Sequence, residues 1–197
     1  MATFFYAVQL YCDFSGYMDI ALGLSEMFGI GLDENFDKPY FSRSIPEYWR
    51  RWHITLNNWF RDHLFYAVLT AEWNRRASDG LKKIMPKVKT ATIRTMFSLA
   101  VVWLTTGIWH GASWTYLGWG IYYAVIMMLS TGTKSGMKRF CKKIRWNDKA
   151  AGVRIFQTIR TFIIVCIGYV LFRAESIRDA LGIYRTVAMR MNISMDA

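Results

Sequence analysis

Thr105-Thr106-Gly107-Ile108-Trp109-His110-Gly111-Ala112-Ser113-Trp114 sits inside an apolar run that extends from about Phe97 to Leu129. The run reads as two apolar segments, about 96–110 and 114–131, with His110 at the turn between them. A titratable imidazole in such surroundings is costly unless it has a partner or a water-filled cavity. His110 is therefore a candidate functional residue, and the hairpin around it is the element from which the rest of the fold is read.

The 197-residue chain is 53% hydrophobic and 17% aromatic, with a formal net charge of +11. Apolar residues are gathered into long blocks, most Lys and Arg lie between the blocks, and Trp and Tyr are frequent near block ends. This is the pattern of an integral membrane protein with interfacial aromatic belts. Basic nucleic-acid-binding domains interleave charge and aromatics instead, so the expected partner is the lipid bilayer, with no nucleic acid. Cys12, Cys141 and Cys166 are odd in number and far apart. Without a Cys/His cluster, neither a metal site nor a disulfide framework is expected. The amino terminus lacks the basic region and cleavage signal of a secretory leader. Met1 leads straight into a membrane-like segment, so the chain is expected to begin inside a longer protein.

The first block, about 3–30, is long enough to span a bilayer, but Gln9, Asp13, Ser15, Asp19 and Glu26 interrupt it. Carboxylates in a span face protein or water. The block is either a helix packed in a bundle with hydrogen-bonded acids or the wall of a polar tunnel. Residues 31–44 carry turn chemistry. Ser44-Ile45-Pro46-Glu47 then has the form of a capping box, with Pro in the first turn. The spacing predicts an amphipathic helix over about 45–68, with Ile45, Trp49, Trp52, Leu56, Trp59 and Phe60 on one side. Arg50, His53, Asn57 and Arg61 form an adjacent polar stripe. So many charges suit an interfacial or re-entrant helix. The stripe is read either as functional or as snorkelling arginines beside a packing histidine. His63 falls on the aromatic side and is read as structural.

Residues 71–95 and 132–153 read as basic loops, and a last span covers about 155–172. The positive-inside rule puts both loops in the cytoplasm, where they serve topology and headgroup contacts or also attract an anionic donor such as a coenzyme phosphate. The expected fold is all-α: polytopic transmembrane helices with an amphipathic or re-entrant helix, forming a single membrane domain over 1–197.

Several motifs then combine. Tyr11-Cys12-Asp13-Phe14-Ser15-Gly16-Tyr17-Met18-Asp19-Ile20-Ala21 is followed by Glu34-Asn35-Phe36-Asp37-Lys38-Pro39-Tyr40. Next come Trp49-Arg50-Arg51-Trp52-His53-Ile54-Thr55-Leu56, Trp59-Phe60-Arg61-Asp62, and Trp109-His110-Gly111. In this order they resemble the membrane-bound O-acyltransferase family. Within it they resemble the bacterial branch of alginate O-acetylation and teichoic acid D-alanine transfer proteins, over about residues 6–175. Gly16–Ala21 and His110–Trp114 lean toward the polysaccharide acetylation type. Family members are longer, with further amino-terminal helices, so the chain looks like a carboxy-terminal portion with a partial fold of the family. After Asp62 it departs from the proline- and glycine-rich loop of many acetylation-type members.

The resemblance implies acyl transfer from a thioester to a hydroxyl, which needs a base for the hydroxyl proton and stabilisation of the developing oxyanion. It implies His110 as the catalytic histidine and His53 as the second one. Helix spacing adds Arg50 and Asn57 as residues that orient His53 or bind donor, and Trp109 adjoins His110 in the motif. No permanently bound cofactor and no metal are expected. The donor would be acetyl-CoA or another acyl thioester. The acceptor would be a cell-surface polysaccharide or an extracytoplasmic acyltransferase partner, and the location the cell membrane, as a multi-pass protein. Three alternatives stay open: D-alanyl transfer to teichoic acid, an inactive fragment or non-catalytic scaffold, and a small channel lined by Asp13 and Asp19.

Overall fold

A computed structural model describes residues 2–193, and every regular element among them is a helix. α1 (Ala2–Met27) leads through an irregular connector, closed by a 3-10 turn at Pro39–Phe41, to α2 (Ile45–Arg51). α3 (Ile54–Trp59) runs through a π-helical turn (Phe60–Phe65) into α4 (Tyr66–Thr70). α5 (Glu72–Ile84), α6 (Thr90–His110), α7 (Trp114–Lys143), α8 (Ala151–Arg173) and α9 (Ile177–Ile193) follow. α6 and α8 are long and apolar enough to cross a membrane, with mean hydropathies of 1.3 and 1.9. At about 1.5 Å per residue each matches the ~30 Å hydrocarbon core of a bilayer.

The α6–α7 hairpin is the most intimate contact in the fold. Gly107 and Gly120 face one another across it, and a Cβ on either would meet backbone: Tyr116 O at 2.7 Å from position 107 and Trp103 O at 2.6 Å from position 120. Small residues at a helix crossing let the two backbones touch, the packing device of helices in lipid. At the turn, Gly111 takes φ 147°, a conformation that side chains disfavour. A Cβ there would also press on the Tyr116 ring at 3.0 Å.

An aromatic core lies where α2 meets α6, α7 and α8. Trp49 packs edge-on against Trp103, Trp119 and Tyr123, with ring centroids 4.6, 5.7 and 4.8 Å away. Such pairs add about 0.5–1.5 kcal/mol each beyond the area they bury. Beside them runs a chain of phenols. Tyr40 donates to the Ala7 carbonyl (2.6 Å), and the buried Tyr48 and Tyr169 hydroxyls bond each other at 2.7 Å. These bonds tie α1, the connector, α2 and α8 together.

Three expectations change. The helix expected over 45–68 is broken at Trp52-His53, where Trp52 is extended and His53 is left-handed at φ 48°, ψ 56°. The break is held by an isolated antiparallel bridge between Phe36 and Trp52. Asp37 N donates to Arg51 O and Ile54 N to Asn35 O, both at 3.0 Å. A left-handed non-glycine residue costs about 1–3 kcal/mol unless its surroundings impose it, and His tolerates that region better than most residues. The apolar side survives at Ile45, Trp49, Trp52 and Phe60, which are buried, whereas Trp59 is exposed. Helix α2 does start at Ser44, whose Oγ accepts from Glu47 N (3.3 Å), but Glu47 reaches back to Arg43 N rather than to Ser44 N.

The stretch 71–95 is mostly not a loop, because α5 occupies Glu72–Ile84 and α6 already begins at Thr90. Two of the arginines that suggested a loop are paired along a helix surface: Glu72 with Arg75 and Arg76, and Arg75 with Asp79. Likewise α7 continues to Lys143, so the first half of the stretch 132–153 is helical. Finally, Gln9, Asp13 and Asp19 lie on the exposed side of α1, and the residues it turns inward are apolar. Among the described residues its acids neither bond within a bundle nor line a tunnel.

Candidate active site

His53 and His110 line one cavity of about 90 Å³ at the meeting of α1, α3, α6, α7 and α8. Its walls are almost wholly apolar, with Phe14, Trp49, Trp119 and Phe172 among them, while Asn57 and Thr106 add polar atoms. The volume equals about three waters. It suits the reacting ends of two small groups.

His110 ends α6, and the turn at Gly111 stops the helix there. Its ring is gripped by aromatic edges: Trp109 at 4.8 Å, Trp119 at 5.0 Å and Phe172 at 5.1 Å between centroids. Among the described residues neither ring nitrogen has a hydrogen-bond partner. The position of the imidazole is thus fixed by packing, and its nitrogens are left for whatever enters the cavity.

His53 is held differently. Its Nδ1 lies 2.9 Å from Oδ1 of Asn35, and Phe14 packs edge-on against the ring at 4.8 Å. The same Asn35 oxygen accepts from Thr55 Oγ1 (2.7 Å) and Thr55 N (3.3 Å). Asn35 is 3% exposed. Burial pushes the His53 pKa below its ordinary value, because removing an imidazolium from water is unfavourable.

The other sequence candidates separate. Asn57 reaches the cavity, but its Nδ2 donates to Trp52 O (2.6 Å) and His53 O (3.0 Å), so it braces the loop that carries His53. Arg50 is exposed and lines a neighbouring cleft with Asn57, Phe60 and Arg61 rather than the histidine cavity. Trp109 is largely exposed, with its ring 6.4 Å from that of His53. His63 bonds Trp59 O at 3.0 Å and stacks on the Trp59 ring, away from the cavity. Sequence reading missed Asn35. It lies in the quoted 34–40 motif, but its setting among acidic turn residues hid a buried role. Among the described residues no three His, Cys, Asp or Glu side chains are grouped to hold a metal ion.

Two histidines thus share one apolar cavity in an all-helical chain that has two membrane-length helices. Residues 1–79 match the family model of the membrane-bound O-acyltransferases. The chain is 37% identical over 179 residues to a probable alginate O-acetylase of Pseudomonas syringae pv. tomato, covering 91% of this chain and 29% of the relative. It is 28% identical over 195 residues to a peptidoglycan O-acetyltransferase of Helicobacter pylori, covering 99% of this chain and 32% of the relative. It is 32% identical over 170 residues to a teichoic acid D-alanyltransferase of Bacillus subtilis, covering 86% of this chain and 40% of the relative. Over most of its length the chain is thus similar to members of the membrane-bound O-acyltransferase family. It spans between 29% and 40% of the length of these relatives.

Proposed function

We propose that this chain carries the histidine site of a multi-pass cell-membrane O-acyltransferase. The enzyme moves an acetyl group from a cytoplasmic thioester, acetyl-CoA, toward hydroxyls of a cell-surface polysaccharide, either directly or through an extracytoplasmic acyltransferase. The observation that carries this reading is that His53, at the break before α3, and His110, at the end of α6, line one small apolar cavity. A cavity of about 90 Å³ suits an acetyl group better than a long acyl chain. Residues 1–197 act as a single membrane domain, with the basic stretches 71–95 and 132–153 on the cytoplasmic side. Lys87, Lys89, Lys134, Lys138, Arg139 and Lys142 line an open cleft between the start of α6 and the end of α7, a favourable approach for a phosphate-bearing donor.

In this reading neutral His110 takes the hydroxyl proton as the oxygen attacks the thioester carbonyl. Collapse of the adduct expels the thiolate, which recovers the proton. His53 assists in positioning or proton handling. Asn57 acts through the loop it braces, Arg50 contacts substrate from the neighbouring cleft, and Trp109 does so from beside His110. The test is His110→Ala in the intact membrane enzyme, with mass spectrometry of the surface polymer. Ester formation should be lost at undiminished expression, and full acylation by the variant would overturn the assignment. A second reading, D-alanyl transfer to teichoic acid, is favoured by the similarity to the Bacillus subtilis D-alanyltransferase. The same spectra separate acetyl from alanyl esters.

A further inference from the structure

The bond between His53 and Asn35 contains more information than a contact. An asparagine amide can be turned over, exchanging its oxygen and nitrogen. Here the backbone settles which is which. Thr55 N–H can only donate, and it points at the same Asn35 atom that faces His53 Nδ1. That atom is the carbonyl oxygen. Thr55 Oγ1 donates to it as well. An amide oxygen accepts and never donates, so His53 Nδ1 carries a proton, and in the neutral ring the lone pair falls on Nε2. Among the described residues Nε2 has no protein partner, while the ring lines the cavity.

We infer that Asn35 is a positioning residue that fixes His53 in the Nδ1–H tautomer, so that His53 presents only a hydrogen-bond acceptor, Nε2, to the group entering the cavity. Resting on the acyl-transfer reading, this makes His53 complementary to a hydroxyl donor and unfit to donate to a thioester carbonyl oxygen while neutral. The constraint is reinforced by the chain itself. His53 is left-handed, and Ile54 N donates to Asn35 O, so ring and amide are registered by backbone on both sides. Among the described residues no such anchor acts on His110, the other histidine on the cavity, and the third titratable group there, the Tyr169 phenol, is bonded to Tyr48, so the two rings are unequal: one with a preset tautomer, the other free to adapt.

Imidazole 15N NMR of the histidine-labelled full chain in lipid nanodiscs at pH 7.5 tests this without any assay of activity. The His53 signals are assigned by their loss in His53→Gln. In the wild-type chain Nδ1 should show the protonated shift and Nε2 the unprotonated one, at a population ratio of about tenfold, as one ordinary hydrogen bond sets. Asn35→Asp, which keeps an acceptor and adds a charge, should move the same ring toward imidazolium. Asn35→Leu should abolish the preference. A wild-type His53 with Nε2 protonated, or one indifferent to tautomer, overturns the inference. Either result leaves the acyl-transfer reading standing, just as loss of that reading by His110→Ala would leave the tautomer measurement intact.

Discussion

Asn74 and Asn35 are both buried, both bridge segments far apart in sequence, and differ in what they leave over. Asn74 is fully buried between α4, α5 and α6. Its Nδ2 donates to Val68 O (2.9 Å) and Ser98 Oγ (3.1 Å), and its Oδ1 accepts from Ser78 Oγ (3.0 Å). Both ends of the Asn74 amide and both serine hydroxyls are bonded within this cluster, and Ser98 Oγ passes its own proton to Arg94 O (2.9 Å). The Asn35 cluster ends on an imidazole with one nitrogen still open to a cavity. A closed network fixes helices, because any unpaired member would carry a desolvation penalty. A network that stops one bond short prepares a group for a visitor.

The widest separation between the two should appear on removing each amide. Asn74→Ala leaves Ser78 Oγ without its acceptor and takes one bond each from Ser98 Oγ and the Val68 carbonyl, and should lower unfolding stability in detergent by about 3 kcal/mol. It should leave the His53 imidazole spectrum unchanged. Asn35→Ala should cost about 2 kcal/mol and alter that spectrum. Reversed effects on the spectrum would dissolve the distinction.

Acid should act next, and more weakly. The His53 pKa is lower in the folded chain than its unfolded value near 6.5, so unfolding takes up protons as the pH falls. Stability should therefore be greatest above about pH 6.5 and decline as the pH drops through the folded-state value. His53→Gln should flatten that decline in a melting series from neutral to mildly acidic pH, whereas Asn74 variants should retain it.

The smallest effect belongs to Glu72, beside the Asn74 node. Hydrogen bonds from Arg75 and Arg76 hold its carboxyl at about 2. The folded value is depressed, so any stabilisation is present above the usual carboxylate range and lost only in strong acid. The group is exposed, and such pairs contribute little. Glu72→Gln should leave the melting midpoint at pH 7 unchanged within error. A clear loss would mean that α5 depends on its surface charges more than on Asn74.

Much of this was legible in the chain. Long apolar blocks announced helices, and the hairpin that ends one helix at His110 and starts the next at Trp114 follows from them. His63 could be set aside from its aromatic neighbours. The break at His53 could not be read, because Trp49, Trp52 and Phe60 keep a helical spacing through it and no glycine or proline marks it. The left-handed turn is imposed by Asn35 and Phe36, which lie outside the helix being read. Asn35 escaped for the same reason: in sequence it is a turn former among acids, and its partners at His53 and Thr55 are supplied only by the fold. α5 reads as a loop in the sequence because its charges look like solvated coil until they are placed at helical spacing.

The three indoles of Trp49, Trp103 and Trp119 have a consequence for light. Their centroids lie 4.6, 5.7 and 5.9 Å apart, close enough that excitation absorbed by one is shared by all. Trp119 also touches the His110 ring, and an imidazolium quenches indole emission. All three indoles border the cavity. The three indoles therefore form one optically coupled group on the cavity wall, and a polar guest entering beside them is expected to change their shared emission, over the signal of the chain's six other tryptophans.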